Sequence, residues 1–403
     1  MARIDRVRLA AREVRLADVR ANPDRYARTF ITAKTIDGHA LCLCQPEPLR
    51  LVIRCRGGRY FLARWPGEGQ AHHHSCPFHQ IDPALSGRGA YADDAIVEGP
   101  EGTSIRFDTP LLVKPATTVS ETDPRATDSV SGGRCTVGLL GLLHYLWEDA
   151  HLNAYSPGQR RGWPQIRATL ESQMQDCVLS RHALAEVLYL VPPYRPETAD
   201  ANRAAFAAFL TGLRSPREQV RRGLLLGELT EATASAHSVA YKVKHLPRTL
   251  YASHELHQRI LRSHRHAFAR AASQHGGHRI ALFLIERSPK GYASVADAAV
   301  MLTTGDTYIP ADSSHELVMA NALQAAHRAY FKPVRYDHTS LVLPDFVLTD
   351  VENTVVEVWG LDTPEYLRRK AIKVAQYAAT DTTLIGWRPD EPLPDLHRPA
   401  VSR

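Results

Sequence analysis

The chain has 403 residues, with 23% charged and 44% hydrophobic side chains and a net charge of +6. Such a composition belongs to an ordinary globular protein and excludes extended disorder, and the length suits two or three domains rather than one. No apolar run is long enough to span a bilayer. No Gly-rich phosphate loop of the P-loop kind and no Gly-x-Ser-x-Gly elbow appears, which argues against an ATPase.

The first twenty residues are Arg-rich and lack an apolar core, so no secretory signal is predicted and a cytoplasmic location is expected. Residues 1–115 read as a β-rich domain, because Leu51-Val-Ile, Tyr60-Phe-Leu, Ile105-Arg-Phe and Leu111-Leu-Val alternate with Gly and Pro. Four of the six cysteines lie here, including Cys42-Leu-Cys44 and the segment His72-His73-His74-Ser75-Cys76-Pro77. Cytosolic thiols favour metal over disulfide, and a tetrahedral zinc site needs four soft or borderline ligands. Cys42, Cys44, Cys76 and either His72 or His73 supply them. A closed shell of this kind holds a structural Zn²⁺. It loosely resembles SWIM-type zinc modules, although the second half here is His-then-Cys. Cys55 sits in a strand-like run and reads as a core residue.

Residues 116–133 read as an exposed linker. Residues 134–249 read as helical. Thr136–Trp147 is an apolar core helix, and helices over Trp163–Leu170 and Arg181–Leu188 follow. Three short helices in sequence suit a helix-turn-helix or winged-helix module, with Arg160, Arg161 and Arg167 as phosphate contacts; a plain helical scaffold with solvated arginines is the competing reading. Arg214, Arg217, Arg221 and Arg222 suggest a further basic helix face. The charge balance, with a pI of about 9.0, is compatible with nucleic acid.

Residues 250–395 carry a His- and Arg-rich helix to about Ala272, a buried-type strand over His278–Ile285, and a further strand at Val300–Thr303. A helix follows over His315–Tyr330, opening on Ser313-Ser-His-Glu316. Glu316 there either caps its own helix or serves as a third acid near a metal. Leu343-Pro-Asp345-Phe-Val-Leu and Val355-Val-Glu357-Val-Trp359 then form a predicted β-hairpin around Asn353, with one carboxylate on each strand. A Glu amid Val and Trp is costly to bury unpaired, and one divalent cation satisfies two such carboxylates. Thr363-Pro364 opens a last helix. On it Tyr366, Lys370, Lys373 and Tyr377 share one face, and Leu367, Ala371, Val374 and Ala378 form the apolar stripe expected to pack on the sheet. Residues 396–403 read as a tail.

The order helix-Glu316, Pro344-Asp345, strand-Glu357 and helix-Lys resembles the PD-(D/E)XK restriction-endonuclease-like nucleases. That resemblance implies a C-terminal restriction-endonuclease-like α/β core. It implies Mg²⁺ or Mn²⁺ held by Asp345 and Glu357, assisted by Lys370 or Lys373, and hydrolysis of DNA phosphodiester bonds as an endo- or exodeoxyribonuclease. Trp359 stands where the family's usual lysine falls. That departure keeps open an alternative, a non-catalytic DNA-binding or regulatory protein on a nuclease scaffold. Across nearly its whole length, the Cys-x-Cys, the His-rich segment with Cys76-Pro77, and Pro344-Asp-Phe…Glu357-Val-Trp-Gly360 resemble the bacterial DUF1173 family, which implies a mobile-element context. The expected fold is α/β overall, with a β-rich zinc-binding N-terminal domain, a helical middle and the nuclease-like core. DNA is the expected partner, no membrane association is expected, and a homo-oligomer is left open.

Overall fold

The structure is a computed structural model describing residues 5–56, 58–74, 76–99, 101–113, 135–215, 219–336, 343–360 and 363–397. The expected linker over 116–133, Arg217 and the end of the tail lie outside the described residues. The architecture is mixed α/β, and the described strands form four sheets.

The N-terminal sheet is antiparallel, in the order Arg12–Arg15, Arg6–Leu9, Ala40–Cys42, Leu49–Arg56 and Arg59–Arg64. Alternation along the strands turns Val7, Leu9, Leu51 and Ile53 inward, against Phe30 and Ala33 of the helix Ala27–Ile36. Cys42, Cys44 and Cys76 belong to this same small core.

The middle of the chain departs from the helical expectation. The helix Leu139–Asp149 forms and is buried along most of its length. Val220–Ala234, however, is a fifteen-residue strand. It pairs in parallel with Leu188–Leu190 and antiparallel with Val239–Val243 and His278–Arg287. Leu224 and Leu226 face one core while Leu225 and Leu229 face another. An apolar run covered on both faces has no period to separate strand from helix. Gly223 and Gly227 fit this crowding, since a Cβ at Gly223 would lie 2.7 Å from the Phe209 ring and one at Gly227 2.5 Å from Val243. The helix-turn-helix does not assemble either, because the third helix is the single turn Leu184–Val187, set between short strands. Arg221 and Arg222 lie on the long strand rather than on a helix face, and Arg222 pairs with Glu286 at 2.7 Å. Arg167 is paired with Glu171 one turn on.

The last sheet runs in the order Thr383–Trp387, Thr354–Val358, Phe346–Leu348, Tyr330–Phe331 and Ala154–Tyr155. The first pair is parallel and is connected by the helix Pro364–Ala379; the other pairings are antiparallel. Met319, Ala320 and Leu323 of the helix Ser314–Ala325 pack on Tyr330, Phe346 and Val356. One edge strand comes from residues 154–155, so this sheet is not confined to residues after 250. The start of the tail is also part of the fold, since Leu396 is buried and its carbonyl accepts from Arg328 at 3.0 Å.

The helix Pro364–Ala379 is turned over relative to the sequence expectation. Leu367 and Val374, in the predicted packing stripe, are 45% and 40% exposed, whereas Tyr377 is buried. The face carrying Tyr366, Lys373 and Tyr377 meets the sheet instead. The sheet beneath presents the buried Glu357 carboxylate. An unpaired buried charge costs more than leaving a Leu and a Val half in water. Among the described residues, no helix is long and apolar enough to cross a membrane.

Candidate functional site

Phe346 pairs with Val356 and Val347 with Val355, and one step along the same register sets Asp345 opposite Glu357. Both carboxylates are buried, Glu357 almost completely at 1% exposure. Asp345 Oδ2 accepts from the Val358 backbone N–H at 2.8 Å, which ties the acid to the neighbouring strand. Both oxygens of Glu357 accept from Lys373 Nζ at 2.8 Å, and Oε1 also accepts from Tyr377 Oη at 2.5 Å. Burial and then the Asp345 charge push the Glu357 carboxyl up to about 7, against the opposing pull of Lys373.

Glu316 secures the start of its own helix and also pairs with a buried cation. Ser313 Oγ accepts from its backbone N–H at 3.1 Å, and its own Oε2 accepts from the Asp312 backbone N–H at 3.0 Å, which ties down the helix start. The same Oε2 lies 2.9 Å from Lys332 Nζ. Burial raises the Glu316 carboxyl to about 7, with the charges of Asp312 and Asp345 adding to it and Lys332 opposing. Glu316 is therefore coupled to Asp345, and Asp345 to Glu357.

The cations are distributed differently from the sequence expectation. Lys373 serves Glu357, and it also donates to the Leu343 carbonyl at 2.7 Å. Lys370 stands over the Trp359 ring, 4.7 Å from its centroid, and so stacks on an aromatic face. Sequence reading missed Lys332, which is 1% exposed and lies 3.0 Å from Asp312 as well as beside Glu316. Burial opposes its charge, but the carboxylates of Asp312, Glu316 and Asp345 outweigh burial and hold it protonated. Its signal was a lysine inside the apolar run Ala329-Tyr-Phe-Lys-Pro-Val. Arg335 joins the group, 3.5 Å from Asp312 and 3.9 Å from Asp345.

The second constellation is in the N-terminal sheet. Cys42 ends the strand Ala40–Cys42, and Cys44 follows two residues on. His72 follows a single 3₁₀ turn, Gly69–Ala71, and Cys76 closes a tight turn through its N–H to the His73 carbonyl at 2.7 Å. The Phe78 N–H then donates to Cys76 Sγ at 3.5 Å. Cys42 Sγ and Cys76 Sγ lie 3.6 Å apart, and His72 Nδ1 lies 3.3 Å from Cys44 Sγ and 3.7 Å from Cys76 Sγ. Zinc–ligand bonds of about 2.3 Å to sulfur and 2.0–2.1 Å to nitrogen put the edges of a tetrahedron at about 3.6–3.8 Å. The donor set therefore fits a structural metal ion such as zinc. All four residues are buried, and among the described residues this is the one group of three or more ligand atoms mutually within 4.8 Å. Of the two histidines left open, His72 faces the thiols, while the His73 ring lies against His74 at 4.1 Å. Hydrogen bonds among the three thiols pull Cys44 below its usual range and, with burial, push Cys42 and Cys76 above theirs.

A family model described as a protein of unknown function, DUF1173, matches residues 13–389, so the chain belongs to that family. No curated protein and no solved structure matches the chain at a significant level.

Proposed function

We propose that this member of the DUF1173 family is a divalent-metal-dependent nuclease acting on DNA phosphodiester bonds, with its centre at Asp345 and Glu357. The observation that carries the reading is the facing of two buried carboxylates across adjacent strands, coupled to a third at Glu316. Four carboxylates (Asp312, Glu316, Asp345 and Glu357) share this region with three cations (Lys332, Arg335 and Lys373). When all four acids are ionised they outnumber the cations, and the raised Glu357 and Glu316 carboxyls reflect a surplus that a proton or an added cation offsets. Asp345 and Glu357 would hold Mg²⁺ or Mn²⁺, which supplies polarisation of a phosphoryl oxygen and an activated water. Lys373 is the lysine of the site. Its ammonium, held by Glu357, is placed to neutralise charge developing on a phosphorane. Lys332 and Arg335 keep the acids from repelling one another apart.

Trp359 and its stack with Lys370 favour a second reading, in which the scaffold binds DNA without cutting it. Cleavage of circular and linear DNA by wild type, Asp345→Asn and Glu357→Gln decides between them. Mg²⁺- or Mn²⁺-dependent cutting that both substitutions abolish, with folding unchanged, supports the nuclease. Salt-sensitive DNA binding without cutting supports the second reading. Cutting that survives both substitutions sinks the assignment of the site.

A further inference from the structure

Between the zinc-type shell and the helix Trp163–Met174 lies a cavity of about 300 Å³. Its walls carry Arg20, Arg160, Arg161, His74 and His151, with Cys76 at one side, and no Asp or Glu lines it among the described residues. Protein surfaces normally intersperse both signs of charge, so three guanidiniums around one hollow without a carboxylate are unusual.

Arg161 sharpens the point. Its guanidinium donates to the carbonyls of Leu152 (3.0 Å), Thr307 (3.4 Å), His151 (3.4 Å) and Ala154, and to Gln159 Oε1 (2.8 Å). Every acceptor is neutral. Burial pulls this guanidinium down to about 10, and no carboxylate offsets that cost. A partly buried cation held only by dipoles is stabilised further by a counter-ion. His151 Nε2 is buried without a hydrogen-bond partner among the described residues. Burial, then the charges of Arg64 and His79, pull the His151 imidazole down to about 3, so the local field is positive. Arg20 and Arg160 are exposed, although burial of its head group lowers the Arg20 guanidinium against the opposing charge of Cys76. Arg20 lies over the Phe78 ring.

We infer that this cavity is a binding site for a phosphate group, with Arg20 and Arg160 as the clamps and Arg161, its terminal N–H groups already donated, as fixed positive charge at the base. Guanidinium forks match the oxygens of a phosphate, and charge-assisted bonds of this type are the strong ones. The volume is at the small end of ligand sites, which suits inorganic phosphate or the phosphate of a strand end rather than a long groove. The inference does not depend on the nuclease reading, because none of these residues belongs to the Asp345–Glu357 cluster.

The test is calorimetric and thermal titration of the full chain, zinc-loaded and without added Mg²⁺, with sodium phosphate against chloride matched in ionic strength. A 5′-phosphorylated oligonucleotide and its 5′-hydroxyl twin form the second arm. Phosphate is expected to bind and stabilise beyond chloride. The Arg20→Gln/Arg160→Gln variant should lose affinity by about tenfold or more, with its unliganded melting temperature unchanged. Preference for the 5′-phosphorylated strand over both its twin and free phosphate identifies a strand end; binding of free phosphate at least as tight as the phosphorylated strand identifies the small anion. Equal stabilisation by chloride, or wild-type affinity in the double variant, overturns the site. Glu357→Gln serves as a locator: a loss there in place of the arginine variant places the phosphate in the carboxylate cluster and also overturns it.

Discussion

Replacing Lys373 by Met removes the cation that holds both oxygens of Glu357, a carboxylate 1% exposed to solvent. The cost depends on pH, because Glu357 can escape by taking a proton. Its folded value of about 7 lies above the unfolded value of 4.5. Its contribution is therefore complete below about pH 4.5 and falls away as pH rises through 7. Below pH 7 both proteins carry the proton, and the variant loses mainly hydrogen bonds, about 1 kcal/mol. Above pH 7 the wild-type carboxyl ionises against Lys373, while the variant carboxyl, raised further by burial and Asp345, stays protonated. The gap then widens by about 1.4 kcal/mol per pH unit. By pH 9 it reaches about 4 kcal/mol, within the range for breaking a buried ion pair, and lowers the melting temperature by roughly 5–10 °C. Urea melts of wild type, Lys373→Met and Lys373→Met/Glu357→Gln at pH 6 and 9 measure it. The glutamine should erase the pH dependence of the gap. A deficit equal at both pH values, or a double variant as pH-sensitive as the single one, refutes the reasoning.

Other outcomes follow from the same geometry. Purified protein should carry about one zinc per chain by elemental analysis, and Cys44→Ala should lose it, together with several degrees of thermal stability. On the proposed nuclease reading, Lys370→Ala should keep DNA cleavage within about threefold of wild type, since Lys370 stacks on Trp359 rather than reaching the acids; a loss of a hundredfold or more would return it to the proposed centre. Lys332→Met should be more damaging than either, leaving Asp312 and Glu316 without their shared cation, at about 3–5 kcal/mol by denaturant melts.

The sequence carried the facing of Asp345 and Glu357, because strand pairing and a short turn are local events with a period of two. It carried the cysteine shell for a related reason: Cys-x-Cys puts two thiols on one side of an extended segment. What it hid arises from distance. Lys332 joins Asp312 and Glu316 only through tertiary packing, with no spacing rule to announce it. The orientation of the helix Pro364–Ala379 was misread because apolar periodicity ordinarily decides which face is buried, whereas here a buried charge decides it. Val220–Ala234 was read as helical because a strand covered on both sides shows no alternation.

The edge strand Ala154–Tyr155 also fixes the order of events during synthesis. Tyr155 leaves the ribosome 175 residues ahead of Tyr330, the residue it pairs with. Its backbone must wait unpaired through most of translation, a long loop to close and a slow contact to form. The sheet bearing Asp345 and Glu357 can therefore finish only after nearly the entire described chain has emerged. A fragment beginning at residue 250 lacks this edge strand, so truncation at that apparent boundary should give an aggregation-prone product with an open sheet edge.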